Sequence, residues 1–201
     1  MNKIDKINKL IKDNDEILTT KMAHENKITK ETLSKMVKEG KIVRIERGKY
    51  SVSNKEYDEY FIFQARYSRC IFSYNSALFI HKLTDKIPVK KEATVYNGYN
   101  YSKIKEEVII HNVEKKYYQI GITNGESMFG NVIKVYNMER TICDLIKIRK
   151  KIDSEVFSKA IKEYSKHPNR DYVLLRKYAK IFNIEKIGRA HVWTPVTQWS
   201  R

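Results

Sequence analysis

Hydrophobic residues near the start of the chain recur at the spacing of three and four residues that is typical of amphipathic helices. The first segment covers about residues 3–13, and its apolar face consists of Ile4, Ile7, Leu10 and Ile11. A second, shorter helix is predicted through KMAHEN, with Thr19 or Thr20 as its N-cap. Thr29 can cap a third helix that Gly40 terminates, and the apolar face of this helix consists of Leu33, Met36 and Val37.

The pattern changes to alternation after Gly40. KIVRIE and YSV alternate apolar and polar residues in the manner of β-strands, and RGK between them supplies a turn. Gly48 in this turn allows the backbone to approach a phosphate closely. Three helices followed by a two-stranded hairpin are the arrangement of a winged helix-turn-helix domain. We expect this DNA-binding domain to cover residues 1–53.

Residues 54–187 predict a larger domain of helices and strands. The sequence from Ser53 to Glu56 has the form of a capping box, which would open a helix through YDEYFIFQARYS. A helix through NSALFIHKL precedes four β-type runs, namely EATVYNGY, EVIIHNV, YYQIGIT and NVIKVYN. Three helical segments follow, and they begin near Met138, Val156 and Leu174. The predicted fold class is therefore α+β, with an N-terminal winged helix-turn-helix and a C-terminal mixed domain in which helices flank a small sheet.

The last segment, residues 188–201, differs in composition from the rest of the chain. GRAHVWTPVTQWSR contains both tryptophans and no acidic residue, and it lacks the bias toward Lys, Ile and Asn that precedes it. We interpret this segment as a foreign or disordered tail. The alternative is an ordinary C-terminal loop with aromatic anchors.

The chain has a strong excess of positive charge. Its formal net charge is +16, from 40 Lys and Arg against 24 Asp and Glu. This excess favours a polyanionic partner, although a Lys-rich genome would produce the same composition. There is no run of 18 apolar residues and no apolar signal segment at the N-terminus, so we expect a cytoplasmic protein without a membrane partner.

The predicted third helix and the hairpin turn carry the candidate DNA-binding residues. On the helix and at its cap these are Thr29, Lys30, Thr32, Ser34, Lys35 and Lys38. In the hairpin, or wing, they are Arg44, Arg47, Lys49 and Tyr50. The third helix of such a domain enters the major groove, and the wing lies against phosphate or the minor groove. Two alternatives stay open, a solvated Lys-rich face and a winged helix that binds protein, since Glu31, Glu39 and Glu46 dilute the positive charge.

No motif of the sequence indicates a catalytic, cofactor or metal site. P-loop, G-x-G-x-x-G, H-E-x-x-H and C-x-x-C patterns are absent, and the five histidines are isolated from one another. Cys70 and Cys143 lie far apart, which favours buried thiols. The run from Glu114 to Lys116 imitates half of a nuclease motif, but the preceding strand lacks the acidic partner. We therefore predict a protein that is not an enzyme, with a nuclease as the weakest alternative.

Several longer stretches resemble one family. ITKETLSKMVKEGKIVRIERGKYSV is similar to the N-terminal domain of the AbiEi family, the antitoxins of type IV toxin–antitoxin and abortive-infection systems. DEYFIFQARYSRCIFSYNSALFIHKLTDKIP, GITNGESMFGNVIKVYNMERTICDLIKIRKKID and YAKIFNIEKI resemble the C-terminal antitoxin domain of this family. The resemblance covers about residues 2–187, and the tail departs from it.

This resemblance implies an antitoxin that binds repeats in its own promoter and represses its own operon. The C-terminal domain would counteract a nucleotidyltransferase-like toxin without forming a stable complex with it. Within MERTICDLI, the candidates for this activity are Glu139, Arg140 and Asp144. Arg140 and Asp144 stand four residues apart, which favours a salt bridge that holds the helix to the sheet over a contact with toxin or nucleic acid.

Overall fold

The three helices predicted near the N-terminus are present in the computed structural model as α1 (Lys3–Lys12), α2 (Thr20–Glu25) and α3 (Lys30–Lys38). The residues that the structure describes are 3–14, 17–52, 58–104 and 106–184. Of the two threonines considered for α2, Thr19 is the N-cap, because its hydroxyl oxygen accepts a hydrogen bond from the backbone N–H of Met22 at 3.2 Å. Gly40 follows α3 with φ of +67°, a conformation that favours glycine.

The predicted hairpin consists of β2 (Ile42–Glu46) and β3 (Lys49–Val52), which pair antiparallel. A further strand, β1 (Leu18–Thr19), pairs antiparallel with β3 on its other side. The strand order is therefore β1-β3-β2, and β2 lies at the edge of this sheet. The sequence pattern did not reveal β1, because a strand of two residues is too short to show alternation.

A buried apolar cluster holds the three helices against the sheet. Its members are Ile7, Ile11, Leu18, Ala23, Ile28, Leu33, Met36, Ile42 and Tyr50. Each large aliphatic side chain that is buried in this way contributes about 1.5–3 kcal/mol to the free energy of unfolding. The helices and the three-stranded sheet form the winged helix-turn-helix arrangement that the pattern predicted.

The next helix, α4 (Glu59–Arg66), has Asp58 as its N-cap. The carboxylate of Asp58 is buried, and one oxygen accepts a hydrogen bond from the backbone N–H of Phe61 at 3.0 Å. The other oxygen accepts hydrogen bonds from the hydroxyl of Ser127 and the side-chain amide of Asn131. The predicted capping box from Ser53 to Glu56, the predicted domain boundary and the predicted tail all lie outside the described residues.

The chain divides into two compact units. The first unit comprises Met1–Arg69 and Glu126–Ile133, and the second comprises Cys70–Gly125 and Lys134–Arg201. The predicted division into domains of residues 1–53 and 54–187 stays a prediction.

The rest of the described chain contains five helices, a 3-10 turn and a mixed sheet of five strands. The helices are α5 (Tyr74–Ile80), α6 (Lys115–Tyr118), α7 (Met138–Ile148), α8 (Ser154–Lys166) and α9 (Tyr172–Ile181), and the 3-10 turn is Ser102–Ile104. The strands are β4 (Ile71–Phe72), β5 (Lys91–Tyr96), β6 (Val108–Val113), β7 (Ile122–Glu126) and β8 (Val132–Tyr136). Their order is β6-β5-β4-β8-β7, with β5 parallel to β6, and β4 antiparallel to β5 and parallel to β8. The predicted α+β fold class is confirmed.

One predicted strand is partly wrong. The run YYQIGIT begins inside the short helix α6, and the strand β7 starts only at Ile122. Gly121, with φ of +82°, separates the two elements. A Cβ atom at this position would lie 2.8 Å from the Cβ atom of Arg140, so the close approach of α7 requires glycine here.

Arg140 attaches α7 to the segment between α6 and β7. Its side chain is fully buried, and its Nε donates to a carboxylate oxygen of Asp144 at 2.8 Å. Its Nη1 donates to the backbone carbonyl oxygens of Tyr117 at 2.8 Å and Ile120 at 3.1 Å. The guanidinium carbon also lies 4.2 Å from the ring centre of Phe182, which is the distance of a cation–π contact. The ion pair predicted from the spacing is therefore present, and it is internal.

Glu139 connects α7 to the two helices that follow it. One of its carboxylate oxygens accepts hydrogen bonds from the backbone N–H of Asp171 at 3.1 Å and from the hydroxyl of Tyr164 at 3.2 Å. Asp171 is the N-cap of α9 and Tyr164 lies in α8. Glu139 thus links α7 to α8 and α9, whereas Arg140 links α7 to α6 and the segment that follows α6.

We expect Arg140→Met to lower the free energy of unfolding by about 3–5 kcal/mol, because it removes the closer of the two cations beside the buried carboxylate of Asp144 and leaves only Lys147, at 3.5 Å. Urea unfolding followed by circular dichroism measures this loss. The double variant Arg140→Met/Asp144→Leu removes both charges and should recover part of the stability. A double variant whose loss equals the sum of the two single losses would contradict a coupled pair.

His81 should make stability depend on pH. Burial lowers the pKa of this histidine below its ordinary value of 6.5, and its Nε2 lies 2.7 Å from the backbone carbonyl oxygen of Tyr136. The unfolded chain therefore takes up a proton at a higher pH than the folded chain. The stability that neutral His81 contributes is present above the ordinary pKa and is lost as the pH falls through the folded-state pKa. His81→Gln should weaken the decrease in the free energy of unfolding between pH 7.5 and pH 5, and an unchanged decrease would contradict this assignment.

Candidate nucleic-acid interface

The outer face of α3 carries most of the predicted DNA-binding residues. Leu33 and Met36 face the core, so the helical period places the polar residues of α3 toward solvent. A shallow groove on this face is lined by Lys30, Glu31, Ser34, Lys35 and Lys38, all of them exposed. The structure thus brings four of the predicted residues together on one surface.

The two predicted threonines at the start of α3 have a local role. The hydroxyl oxygen of Thr29 accepts a hydrogen bond from the backbone N–H of Thr32 at 3.3 Å, and the two hydroxyl oxygens lie 3.2 Å apart. Thr29 is exposed and Thr32 is half-buried. Both side chains therefore stabilise the first turn of the helix that presents the lysines.

Two acidic residues accompany the lysines, and their charges are partly compensated. The pKa of Glu39 is lowered chiefly by a hydrogen bond from the ammonium group of Lys41, which lies 2.7 Å from one carboxylate oxygen. The ammonium group of Lys35 lies 3.9 Å from the other carboxylate oxygen. The pKa of Glu31 is lowered chiefly by a hydrogen bond from its own backbone N–H and by the hydroxyl of Thr29. Both carboxylates are therefore ionised at neutral pH. Within the described residues, Lys38 forms no ion pair.

The turn of the wing places Arg47 in solvent. Gly48, the next residue, has φ of +83°, and its carbonyl oxygen accepts a hydrogen bond from the backbone N–H of Thr20 at 2.9 Å. This contact fixes the turn against the start of α2. Arg44 is also exposed, on β2.

Lys49 and Tyr50 have positions that differ from the predicted ones. The ammonium group of Lys49 donates to the backbone carbonyl oxygen of Ala65 at 2.9 Å and pairs with the carboxylate of Glu46 at 2.7 Å. The ring of Tyr50 lies in the apolar core, and only 8% of the residue is exposed. Tyr50 is therefore not available for a phosphate contact, and Lys49 holds the wing to α4.

Sequence reasoning missed Arg66 as part of this surface. This residue lies at the end of α4, is exposed, and donates from Nε to the backbone carbonyl oxygen of Ile45 in the wing at 3.1 Å. Residues 45 and 66 are far apart along the chain, so no local pattern indicates the contact. The one feature of the sequence that could have indicated this role is that Arg66 is a basic residue in the last turn of α4.

The three candidate antitoxin residues are not at the surface. Glu139, Arg140 and Asp144 are each at most 4% exposed, and the hydrogen-bond partners described above all lie in the second unit. Of the two interpretations that the spacing allowed, the structure matches the internal salt bridge. In the same described part of the chain, no three His, Cys, Asp or Glu side chains are grouped so that they could hold a metal ion. No helix of that part is long and apolar enough to cross a membrane.

The N-terminal part of the chain matches a family model. Residues 5–53 match the model of a family described as transcriptional regulator, AbiEi antitoxin. This match confirms the resemblance to that family for residues 5–53, from within α1 to the end of β3. No curated protein matches the chain. The family match supports a DNA-binding antitoxin role in general, and regulators of this family are generally not enzymes.

Lys49→Ala should lower the free energy of unfolding by about 1 kcal/mol, because it removes the hydrogen bond from the wing to α4. The matched control is Arg47→Ala in the same turn, which should change stability by no more than about 0.5 kcal/mol. Urea unfolding of both variants measures the difference. Equal stability of the two variants would show that Lys49 does not hold the wing in place.

Proposed function

From the match of residues 5–53 to AbiEi antitoxin regulators, we propose that the protein binds double-stranded DNA at repeats in its own promoter and represses its own operon. The single observation that carries this proposal is the set of exposed cations on the outer face of α3 and at the tip of the wing. These residues are Lys30, Lys35, Lys38 and Arg47.

The positions of these cations suit the major groove and the phosphate backbone of a DNA duplex. The major groove is wide enough to admit an α-helix, so α3 would place Lys30, Ser34 and Lys35 near base edges. Arg47, in the turn of the wing, would contact the phosphate backbone. Base contacts supply the preference for the operator, and phosphate contacts supply affinity for any sequence.

We propose that a C-terminal domain, residues 54–187, counteracts a nucleotidyltransferase-like toxin without a stable complex. The support for this part is the resemblance of GITNGESMFGNVIKVYNMERTICDLI and the neighbouring stretches to the antitoxin domain of the family. Glu139, Arg140 and Asp144 are buried, so the residues that counteract the toxin would be other, exposed side chains of this domain.

The double variant Lys35→Ala/Arg47→Ala should lose most of its affinity for the DNA upstream of its own gene. A base-reading contact contributes about 1–3 kcal/mol, and a lost phosphate contact reduces the salt dependence of binding. A gel-shift titration at several salt concentrations measures both effects. The matched control, Arg176→Ala/Lys177→Ala, removes the same two residue types from the exposed side of α9.

Two outcomes would contradict DNA recognition through the winged helix. One is an equal loss of affinity in the control variant, and the other is affinity of the unmodified protein that does not fall with salt. A folded Lys35→Ala/Arg47→Ala variant, supplied from a separate promoter, should still protect cells from the toxin. Loss of protection together with loss of DNA binding would mean that the two activities are not separable.

A further inference from the structure

The wing and α4 share a groove that carries two more arginines. Arg44, from β2, and Arg66, from α4, line this groove together with the aliphatic side chains of Val37, Val43 and Ile62. All five residues belong to the first unit. Of the two arginines, only Arg44 lies within the stretch that matches the family, so Arg66 is a feature that the match does not cover.

The guanidinium group of Arg66 is held in position before any ligand binds. Its Nε donates to the carbonyl oxygen of Ile45 on the edge strand β2 at 3.1 Å. Its terminal nitrogens form no other hydrogen bond or ion pair with the residues that the structure describes. A guanidinium fixed through Nε presents its two terminal nitrogens as a planar fork, which matches the oxygens of a phosphate.

Arg44 supplies a second charge without a counterion in the described chain. The acidic residues nearest to it in sequence are already engaged, since Glu46 pairs with Lys49 at 2.7 Å and Glu39 pairs with Lys41 at 2.7 Å. Both arginines are exposed, so their guanidinium groups are accessible to an anion.

The groove continues the surface that we assign to DNA. Val37 and Gly40 line it, and Lys38, which lies between them in the chain, lines the groove on the outer face of α3. Both grooves therefore have lining residues at the C-terminal end of α3, where Lys35 and Lys38 line one and Arg44 and Arg66 line the other. Glu39, the acidic residue at this end of the helix, is paired with Lys41. A DNA strand that leaves the recognition helix would meet these two arginines through its phosphates.

We propose that Arg44 and Arg66 form a phosphate clamp that extends the DNA footprint from the winged helix onto α4. This inference rests on the proposed function, because it assumes that α3 and the wing bind DNA. The clamp contributes affinity without sequence preference, since phosphates carry no base information. An acidic protein segment has similar chemistry, but the continuity with the outer face of α3 favours the DNA backbone.

The test compares Arg44→Gln, Arg66→Gln and Arg66→Lys in the full chain by fluorescence anisotropy. The probes are a labelled duplex of the protein's own upstream DNA and a duplex of scrambled sequence. Each Gln variant should weaken binding to both duplexes by the same factor. Each phosphate contact contributes about 0.9 to the slope of log affinity against log salt concentration. The affinity of each Gln variant should therefore fall about 3.5-fold less than that of the unmodified protein between about 50 and about 200 mM salt. Arg66→Lys should keep the salt slope and lose affinity, because it retains the charge without the fork.

Urea unfolding of each variant identifies any that has lost its fold. Arg44→Gln removes no side-chain hydrogen bond or ion pair within the described chain, so this variant is expected to stay folded and can test the clamp by itself. Arg176→Gln on α9 is the control and should change neither affinity nor slope. Unchanged slopes in both Gln variants, alongside weak binding by Lys35→Ala/Arg47→Ala, would overturn the clamp and leave the proposed function intact. Absence of salt-dependent binding by the unmodified protein would overturn both. Competition by poly-glutamate that depends on the two arginines, without any effect of the variants on DNA, would assign the groove to an acidic protein and also overturn the clamp.

Discussion

Burial of Leu33 and Met36 in the core of the winged helix is the constraint on which the candidate interface depends. These two side chains set the rotation of α3 about its axis, so the helical period determines which residues face solvent. The cap at Thr29 sets where the helix begins, and Gly40 sets where it ends. A polar residue at either core position would remove a buried apolar contact. It would also leave the rotation of α3, and therefore the direction of the lysines on its outer face, less well defined.

The wing is stabilised by contacts with α4 that run in both directions. Lys49 of the wing donates to the carbonyl oxygen of Ala65, and Arg66 of α4 donates to the carbonyl oxygen of Ile45. The side chain of Arg66 thus occupies one backbone carbonyl oxygen of the edge strand β2, and a charged side chain at a strand edge disfavours pairing with other chains. The two cations of the wing therefore differ in role. Lys49 binds α4, whereas Arg47 is exposed to solvent.

In the second unit, charged residues act as internal connectors. Burying an ion pair such as that of Arg140 and Asp144 carries a desolvation cost that its attraction does not reliably exceed. The additional hydrogen bonds of Arg140 to two backbone carbonyl oxygens offset part of this cost and attach α7 to α6 and the segment that follows it.

The sequence alone determined the three N-terminal helices, the hairpin and the cap at Thr29, and it allowed the pairing of Arg140 with Asp144 as one of two interpretations. These features follow from local rules, namely periodicity, capping chemistry and the four-residue spacing on a helix. Only the tertiary structure decided that Tyr50 faces the core, that Lys49 binds Ala65, that Arg66 reaches the wing and that Arg140 is buried. The physical reason is that burial and long-range hydrogen bonds depend on which distant segments pack together. An amphipathic side chain such as tyrosine, lysine or arginine suits either environment, so its type does not indicate the one it occupies.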